Sequence, residues 1–412
     1  MQNPWIAALA ATLLMQLVGS FMNQIIPVVA PAMMADLGLP PETVGNFSSL
    51  NTLGAIVFLL IGAPLVARFG PLRLLQSGAA IASLAMAAAA LGSVWLIPAA
   101  AMLMGFGYGP CGVSGSRILQ KHAPARHRVL IFSIKQAGAP AGGALAGLLA
   151  APLAAAYGWQ AAMVTAIGIA LACALVIQPL RRSLDAERDP ARSWREALTL
   201  KRLATPLVAL RMHPVLPPLT LQAFAFASVQ GSLFSFTVTW LVAEHGMGLA
   251  AAGSIFAAMQ IAGVCGRLVL GWAADRLGDA TRSLSIHGLC AAALATLWVL
   301  AGAGADWRLA FPLAIACGFT SASWNGIFLA EVARVAPPDR VAEASSGAIL
   351  LCFLGYLTAP TAFAFAVTQT GSWRLPYLIA CGLLAVVSVV VFFLRSGRAE
   401  PAGQAGQART EG

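Results

Sequence analysis

Two cations and one acid stand inside otherwise apolar sequence, and these are the residue types that could do chemistry here. Lys135, followed by Gln136, lies about seven residues into the apolar run 129–156, roughly 10 Å along a helix from its start. A buried ammonium is costly unless paired or wet. Three roles stay open: the stem snorkels to the interface, the charge attracts an anionic substrate, or it pairs with an acid. Glu331 is the most conspicuous acid in an apolar run, a candidate for structural pairing or for carrying a proton. Arg267, near the end of another run, is expected to snorkel or pair locally. His122, His127, His213 and His245 fall between runs and His287 near the end of one, with no relay spacing. All seven cysteines (Cys111, Cys173, Cys265, Cys290, Cys317, Cys352, Cys381) lie in apolar runs without paired spacing, so packing is expected rather than a disulfide or a metal. No nucleophile–base pair, metal-ligand spacing or Gly-Lys-Ser/Thr phosphate loop occurs. The expectation is no catalytic residue, no metal and no cofactor: the chemistry is recognition of charge, not bond-making.

The elements that must hold these residues are membrane spans. Hydrophobic residues make up 59% of 412 positions and charged ones 10%, too few charges to cover a water-soluble domain of this size. Twelve apolar runs recur, near 6–30, 44–66, 74–93, 95–116, 129–156, 160–180, 216–243, 250–272, 284–304, 309–333, 344–368 and 375–394. Each is long enough to cross a hydrocarbon core of about 30 Å as a helix.

A net charge of +10 raises the question of nucleic acid, and the distribution of charge answers it. The turns after even-numbered spans and the C-terminal tail hold 21 of the 25 Lys and Arg. The opposite turns carry Asp36, Glu42, Glu244 and Asp306, with Arg308 and Arg374. This asymmetry predicts both termini in the cytoplasm and leaves no reason to invoke nucleic acid. The first span has no cleavage-site pattern and is read as retained.

The chain reads as one six-span unit written twice. Ala63-Pro64-Leu65-Val66-Ala67-Arg68-Phe69-Gly70 after span 2 corresponds to Gly271-Trp272-Ala273-Ala274-Asp275-Arg276-Leu277-Gly278 after span 8, 208 residues on. Ala123 to Arg126 corresponds to Ala336 to Arg340, and Gly158-Trp159-Gln160 to Ser372-Trp373-Arg374. The divisions expected are a first bundle 1–180, a linker 181–215, a second bundle 216–395 and a disordered tail 396–412. Within the linker, Ser193 to Leu203 has the make-up of a short helix lying on the membrane surface.

The motif Gly271 to Gly278, with span count, duplication, orientation and long central loop, resembles the major facilitator superfamily over essentially the whole chain. The resemblance implies an all-α membrane fold of twelve helices in two pseudo-symmetric six-helix bundles, working by alternating access around a midplane site. It also implies a latch at the loop motif. Read physically, Gly271 would allow close helix approach, Asp275 would sit at the positive end of a neighbouring helix, and Gly278 would permit the tight turn. The first copy keeps Arg68 and Gly70 but has Ala67 where the acid belongs. In this family an acid on span 10 commonly pairs with the motif's basic residues. Here Glu331 is that acid, Arg276 its basic partner, and the first-half counterpart of Glu331 is Arg117. The second-half latch is therefore expected to be the stronger.

The superfamily's cavity is lined by spans 1, 4, 7 and 10, with help from 2, 5, 8 and 11. The polar residues there that become candidates for substrate contact are Gln24, Asn51, Tyr108, Gln230, Trp240, Gln260, Trp324, Asn325 and Tyr356, beside Lys135 and Gln136. For each, a helix–helix hydrogen bond is the plainer role. The small residues from Gly138 to Gly147 loosely resemble a motif of proton-coupled antiporters, and are better explained by packing against span 8, with Gly263 and Gly266 as the facing groove. Gly266-Arg267-x-x-x-Gly271 looks like transporters of monocarboxylates, oxalate/formate or cyanate. The expected function is a secondary transporter of a small organic or inorganic anion in the inner membrane, acting as a monomer, with a proton as candidate coupling ion. The alternative is a proton-coupled exporter of amphipathic compounds, which the Phe, Met and Trp content would suit.

Overall fold

The computed structural model describes residues 4–186, 188–189, 208–301, 307–337 and 340–396, and every regular element among them is helical. The expected surface helix from Ser193 to Leu203, the tail beyond Ser396, Asp306 and Asp339 lie outside the described residues. We number the spans α1 (Pro4–Leu37), α2 (Val44–Phe69), α3 (Pro71–Ala90), α4 (Ile97–Tyr108 and Pro110–His122), α5 (Arg128–Leu145, continuing through a π turn Ala146–Ala150 into Ala151–Tyr157) and α6 (Trp159–Val176). The second half holds α7 (Leu216–His245), α8 (Leu249–Leu277), α9 (Ala280–Ala301), α10 (Trp307–Ser321 and Trp324–Val335), α11 (Val341–Thr370) and α12 (Arg374–Ser396). Eleven helical runs are long and apolar enough to cross a membrane. The twelfth, α4, is not among them; it breaks at Gly109 before Pro110, which has no amide hydrogen to continue the ladder.

The expected duplication is visible in the packing. In the first half α1 packs on α5, α2 on α4 and α3 on α6; in the second, α7 packs on α11, α8 on α10 and α9 on α12. Glycines repeat with the helices. Gly105 of α4 rests on the backbone of Asn51 and Ala55, and Gly318 of α10 rests on the backbone of Met259, so no side chain fits at either place. Both α4 and α10 are also interrupted about one turn further on, at Gly109 and at Ala322 with Ser323.

The halves meet along α5 with α8, α2 with α11, and α1 with α7. The α5–α8 seam is made by Gly147 against Gly253 and Ala257, and by Gly143 against Gln260. This corrects the expected groove: Gly263 and Gly266 face α10 at Gly318, Phe319, Ala322 and Ser323, not α5. The α2–α11 seam lies toward the end opposite the loop motifs, where Gly45 meets Pro360 and the Thr368 hydroxyl donates to Glu42 at 3.1 Å.

At the loop-motif end, Gly70 (φ 93°) and Gly278 (φ 65°) take the left-handed turns expected of them. Gly271 differs from expectation, since a side chain there would meet nothing within 4 Å, and Trp272 and Leu277 beside it point outward. Asp275 and Arg276 are exposed, Arg276 lying over the Trp272 ring at 4.4 Å, while Arg68 lies over Phe69 at 5.6 Å. Arg117 is exposed near the end of α4. Glu331 is fully buried and accepts from Arg334 Nε and Nη2, each at 2.7 Å, and from the Thr281 hydroxyl of α9.

The first-half motif, lacking its acid, borrows one. Asp185, at the end of the short helical turn Arg181–Leu184 that follows α6, accepts the amides of Leu72 at 2.7 Å and Arg73 at 3.1 Å at the start of α3. The Asp189 amide donates to the Ala67 carbonyl at 2.8 Å. Leu184 is buried beside Leu72, Leu75 and Ile177, so the beginning of the linker is a built clasp on the α2–α3 turn.

Candidate functional site

Lys135 is carried about a quarter of the way along α5 and is buried to 1% exposure, so its stem does not snorkel. Room for it comes from Gly115 on α4, where any added carbon would lie 2.9 Å from Lys135 Cε. Its ammonium donates to Gln136 Oε1 at 3.2 Å. Gln136 itself is exposed.

Facing it is a residue the sequence reading misplaced. Arg267 was expected at the interface because the apolar run of span 8 ends near 272, but α8 continues to Leu277 and sets Arg267 almost three turns inside. Its Nε donates to the Ala322 carbonyl at 3.0 Å, at the break in α10, and its Nη1 to the Gln136 carbonyl of α5 at 3.3 Å. The break matters, because a carbonyl freed from helical bonding is available to a side chain. The guanidinium is also within electrostatic reach of the phenols of Tyr108 and Tyr356. Two cations, one from each half, therefore converge on Gln136.

A neutral hydrogen-bonding cluster lies alongside on the second half. Gln230 Oε1 of α7 accepts from Trp324 Nε1 of α10 at 3.0 Å and from the Tyr356 hydroxyl of α11 at 2.7 Å. Asn325 borders Tyr356. Trp324 is fixed by stacking on Phe226, centroids 5.2 Å apart and 14° between planes. On the first half the Tyr108 hydroxyl accepts from Gln16 Nε2 at 3.0 Å, and Gln16 was not among the residues expected.

Lys135, Gln136, Tyr108, Gln230, Trp324, Asn325 and Tyr356 thus gather with Arg267 around the middle of the bundle. The other candidates do not join them. Trp240 is buried in an aromatic cluster facing α9 and α12, edge-on to Trp298 at 4.8 Å and Tyr377 at 6.0 Å. Gln260 is buried in the α5–α8 seam with its Oε1 unpartnered. Asn51 lies on α2 under Gly105 of α4. Gln24 is half-buried on α1.

The charges set what this arrangement can do. Every acid among the described residues lies at a helix end, near one, or between helices; Glu331, the one buried inside a span, is four residues from the end of α10. Lys135 and Arg267 donate only to neutral oxygens, and neither forms an ion pair with a described acid. Among the described residues no group of three or more His, Cys, Asp or Glu is placed to hold a metal. The junction of the two halves around Gln136 is therefore polar and net-positive, and no described acid is bonded to either cation.

Comparison with known proteins agrees with the fold. A sequence model of the Major Facilitator Superfamily matches residues 12–360. A hexuronate transporter of Bacillus subtilis (strain 168) is 25% identical over 392 residues, 91% of each chain. A gallate transporter of Pseudomonas putida is 26% identical over 300 residues, 65% of this chain and 66% of that one. The chain likewise spans 65% of the length of related uncharacterized MFS-type transporters of Mycobacterium tuberculosis. Among solved structures, a bacterial homolog of the human lysosomal transporter Spinster, in an inward-facing and occupied conformation, superposes with a TM-score of 0.74 at 16% identity, covering 94% of this chain and 96% of that one.

Proposed function

The chain belongs to the Major Facilitator Superfamily, and on that footing we propose that it is a secondary transporter of a small organic anion, a carboxylate that also carries hydroxyl groups. One observation carries the reading: Lys135 and Arg267 both bond to Gln136, one from each half, and no described acid pairs with either of them. Intramembrane charges are retained where they have work to do, and an arginine fork with an ammonium beside it matches a carboxylate. Gln230, Tyr356, Asn325 and Tyr108 supply the donors and acceptors for substrate hydroxyls. Hexuronate and gallate, the compounds in the names of two relatives, both combine a carboxylate with hydroxyls.

The two bundles rock about this site, with the glycine-lined α5–α8 and α2–α11 seams as the surfaces that slide. Glu331, held by Arg334 and Thr281, anchors α9 to α10 near the loop motif rather than carrying a proton. The protein sits in the inner membrane as a monomer with both termini cytoplasmic, in line with the 21 of 25 basic residues on one set of turns.

The test is a thermal-shift screen of detergent-purified protein against D-glucuronate, gallate, sulfate and phosphate, repeated with Arg267→Gln and Lys135→Ala. Stabilisation by the hydroxylated carboxylates that vanishes in Arg267→Gln is the expected result. Stabilisation by lipophilic cations alone would overturn the reading in favour of an exporter of amphipathic compounds.

A further inference from the structure

The distribution of charge at the midplane also bears on how the carrier returns after delivering its load. Arg267 stays protonated under any physiological condition, so at least one positive charge remains in the site when it is empty. Its partners are the carbonyls of Ala322 and Gln136, which are neutral. The Lys135 ammonium likewise has only the Gln136 side-chain oxygen. The acid buried inside a span, Glu331, is bound by Arg334 and Thr281 close to the loop-motif end and does not swing to the centre without leaving those donors unsatisfied.

Alternating access passes through a state in which the site is closed to water on both sides. A bound carboxylate brings the cancelling charge into that state; an empty site carries its cations into it bare. The Arg267 bond to the Gln136 carbonyl adds to the asymmetry, because it joins α8 to α5 across the two halves. When the halves rock, that donor needs a new acceptor, and a carboxylate is one.

Resting on the anion-site reading above, we propose that this protein works predominantly as an anion exchanger. The loaded carrier crosses readily in either direction, the empty carrier crosses slowly, and one hydroxylated carboxylate moves in as another moves out. Among the described residues no carboxylate side chain bonds to Lys135 or Arg267 to bring a proton in its stead.

The experiment uses the full chain in proteoliposomes. Uptake of labelled D-glucuronate is compared between vesicles preloaded with unlabelled D-glucuronate and vesicles holding buffer alone. Preloading is expected to accelerate initial uptake at least tenfold. Gln230→Glu provides the second arm: its carboxylate keeps the acceptors used by Trp324 and Tyr356 and places a negative charge against Tyr356, whose phenol in turn lies within electrostatic reach of Arg267. In that variant the ratio of preloaded to empty uptake is expected to fall toward one. Equal rates in wild-type vesicles of both kinds, or an unchanged ratio in Gln230→Glu, would overturn the exchange inference. If D-glucuronate stabilises the wild type but not Arg267→Gln and the ratio is still near one, exchange alone fails. If no hydroxylated carboxylate stabilises the protein, the anion site itself fails.

Discussion

Replacing Asp185 by alanine removes both acceptors from the start of α3, the Leu72 amide at 2.7 Å and the Arg73 amide at 3.1 Å. A net hydrogen bond is worth about 1 kcal/mol, and loss of a helix cap about 0.5–2 kcal/mol. The two bonds together therefore contribute about 2 kcal/mol. Asparagine retains one carbonyl oxygen and presents an amide group to the second backbone donor, so it should lose about half of that. In a cooperative unit of 150–250 residues each kcal/mol is worth about 2–4 °C, which predicts an apparent melting temperature lowered by about 4–8 °C in Asp185→Ala and about 2–4 °C in Asp185→Asn. The assay is intrinsic fluorescence during a thermal ramp at fixed detergent and scan rate, since membrane proteins often unfold irreversibly. Proteolysis supplies a second readout: freeing the clasp should expose the peptide bonds between Leu184 and Asp189 to cleavage while α6 stays protected. Unchanged melting in Asp185→Ala, or equal losses in the two variants, would refute the idea that this acid holds the α2–α3 turn in place of the one missing at Ala67.

Further outcomes follow from the same geometry. Gln230→Leu leaves the Trp324 and Tyr356 donors without their acceptor; at about 1–3 kcal/mol for each buried orphan, melting should fall by several degrees, and Gln230→Glu should restore much of it. Gly105→Val and Gly318→Val each force a side chain into the backbone of the facing helix; both should lower folded yield on size-exclusion chromatography, whereas Gly271→Val, with open space around it, should not. Trp240→Ala empties a buried aromatic cluster, costing about 3–5 kcal/mol, and should depress stability without changing the ratio of transport rates among different anions. Glu331→Gln keeps an oxygen for Thr281 and loses the charge that Arg334 meets at 2.7 Å; a loss of thermal stability with preserved exchange is expected, and loss of exchange with stability intact would make it a participant in coupling.

The twelve spans and the duplication were legible because lipid leaves a coarse signal: a long run of apolar side chains, then a turn with charges of one sign. That same signal blurred helix ends. Hydropathy marks the part of a helix facing hydrocarbon, and α8 runs five residues past the point where its apolar run stops, which is why Arg267 was read as interfacial. Lys135 was easier, its run beginning within a residue of the helix itself. Trp240 was misjudged for another reason. Nearly every residue from Phe226 to Leu241 in α7 is buried, so nothing in its periodicity separates the face toward the cavity from the face toward α9 and α12. The clasp at Asp185 had no local signature at all, since its partner amides are 112 and 113 residues away. Gly271 kept its place in the motif without the helix contact that a small residue invites.

The paired glycines at 105 and 318 have a mechanical meaning. Where main chain bears directly on main chain there is no side chain to change rotamer and absorb displacement. The α2–α4 and α8–α10 pairs are therefore stiff plates, one in each half. Strain arising at the charged centre must be relieved elsewhere, along the shallow glycine and alanine surfaces that join the plates across the pseudo-twofold axis. Stiffness inside each half is what turns the capture of one small ion into the swing of an entire bundle.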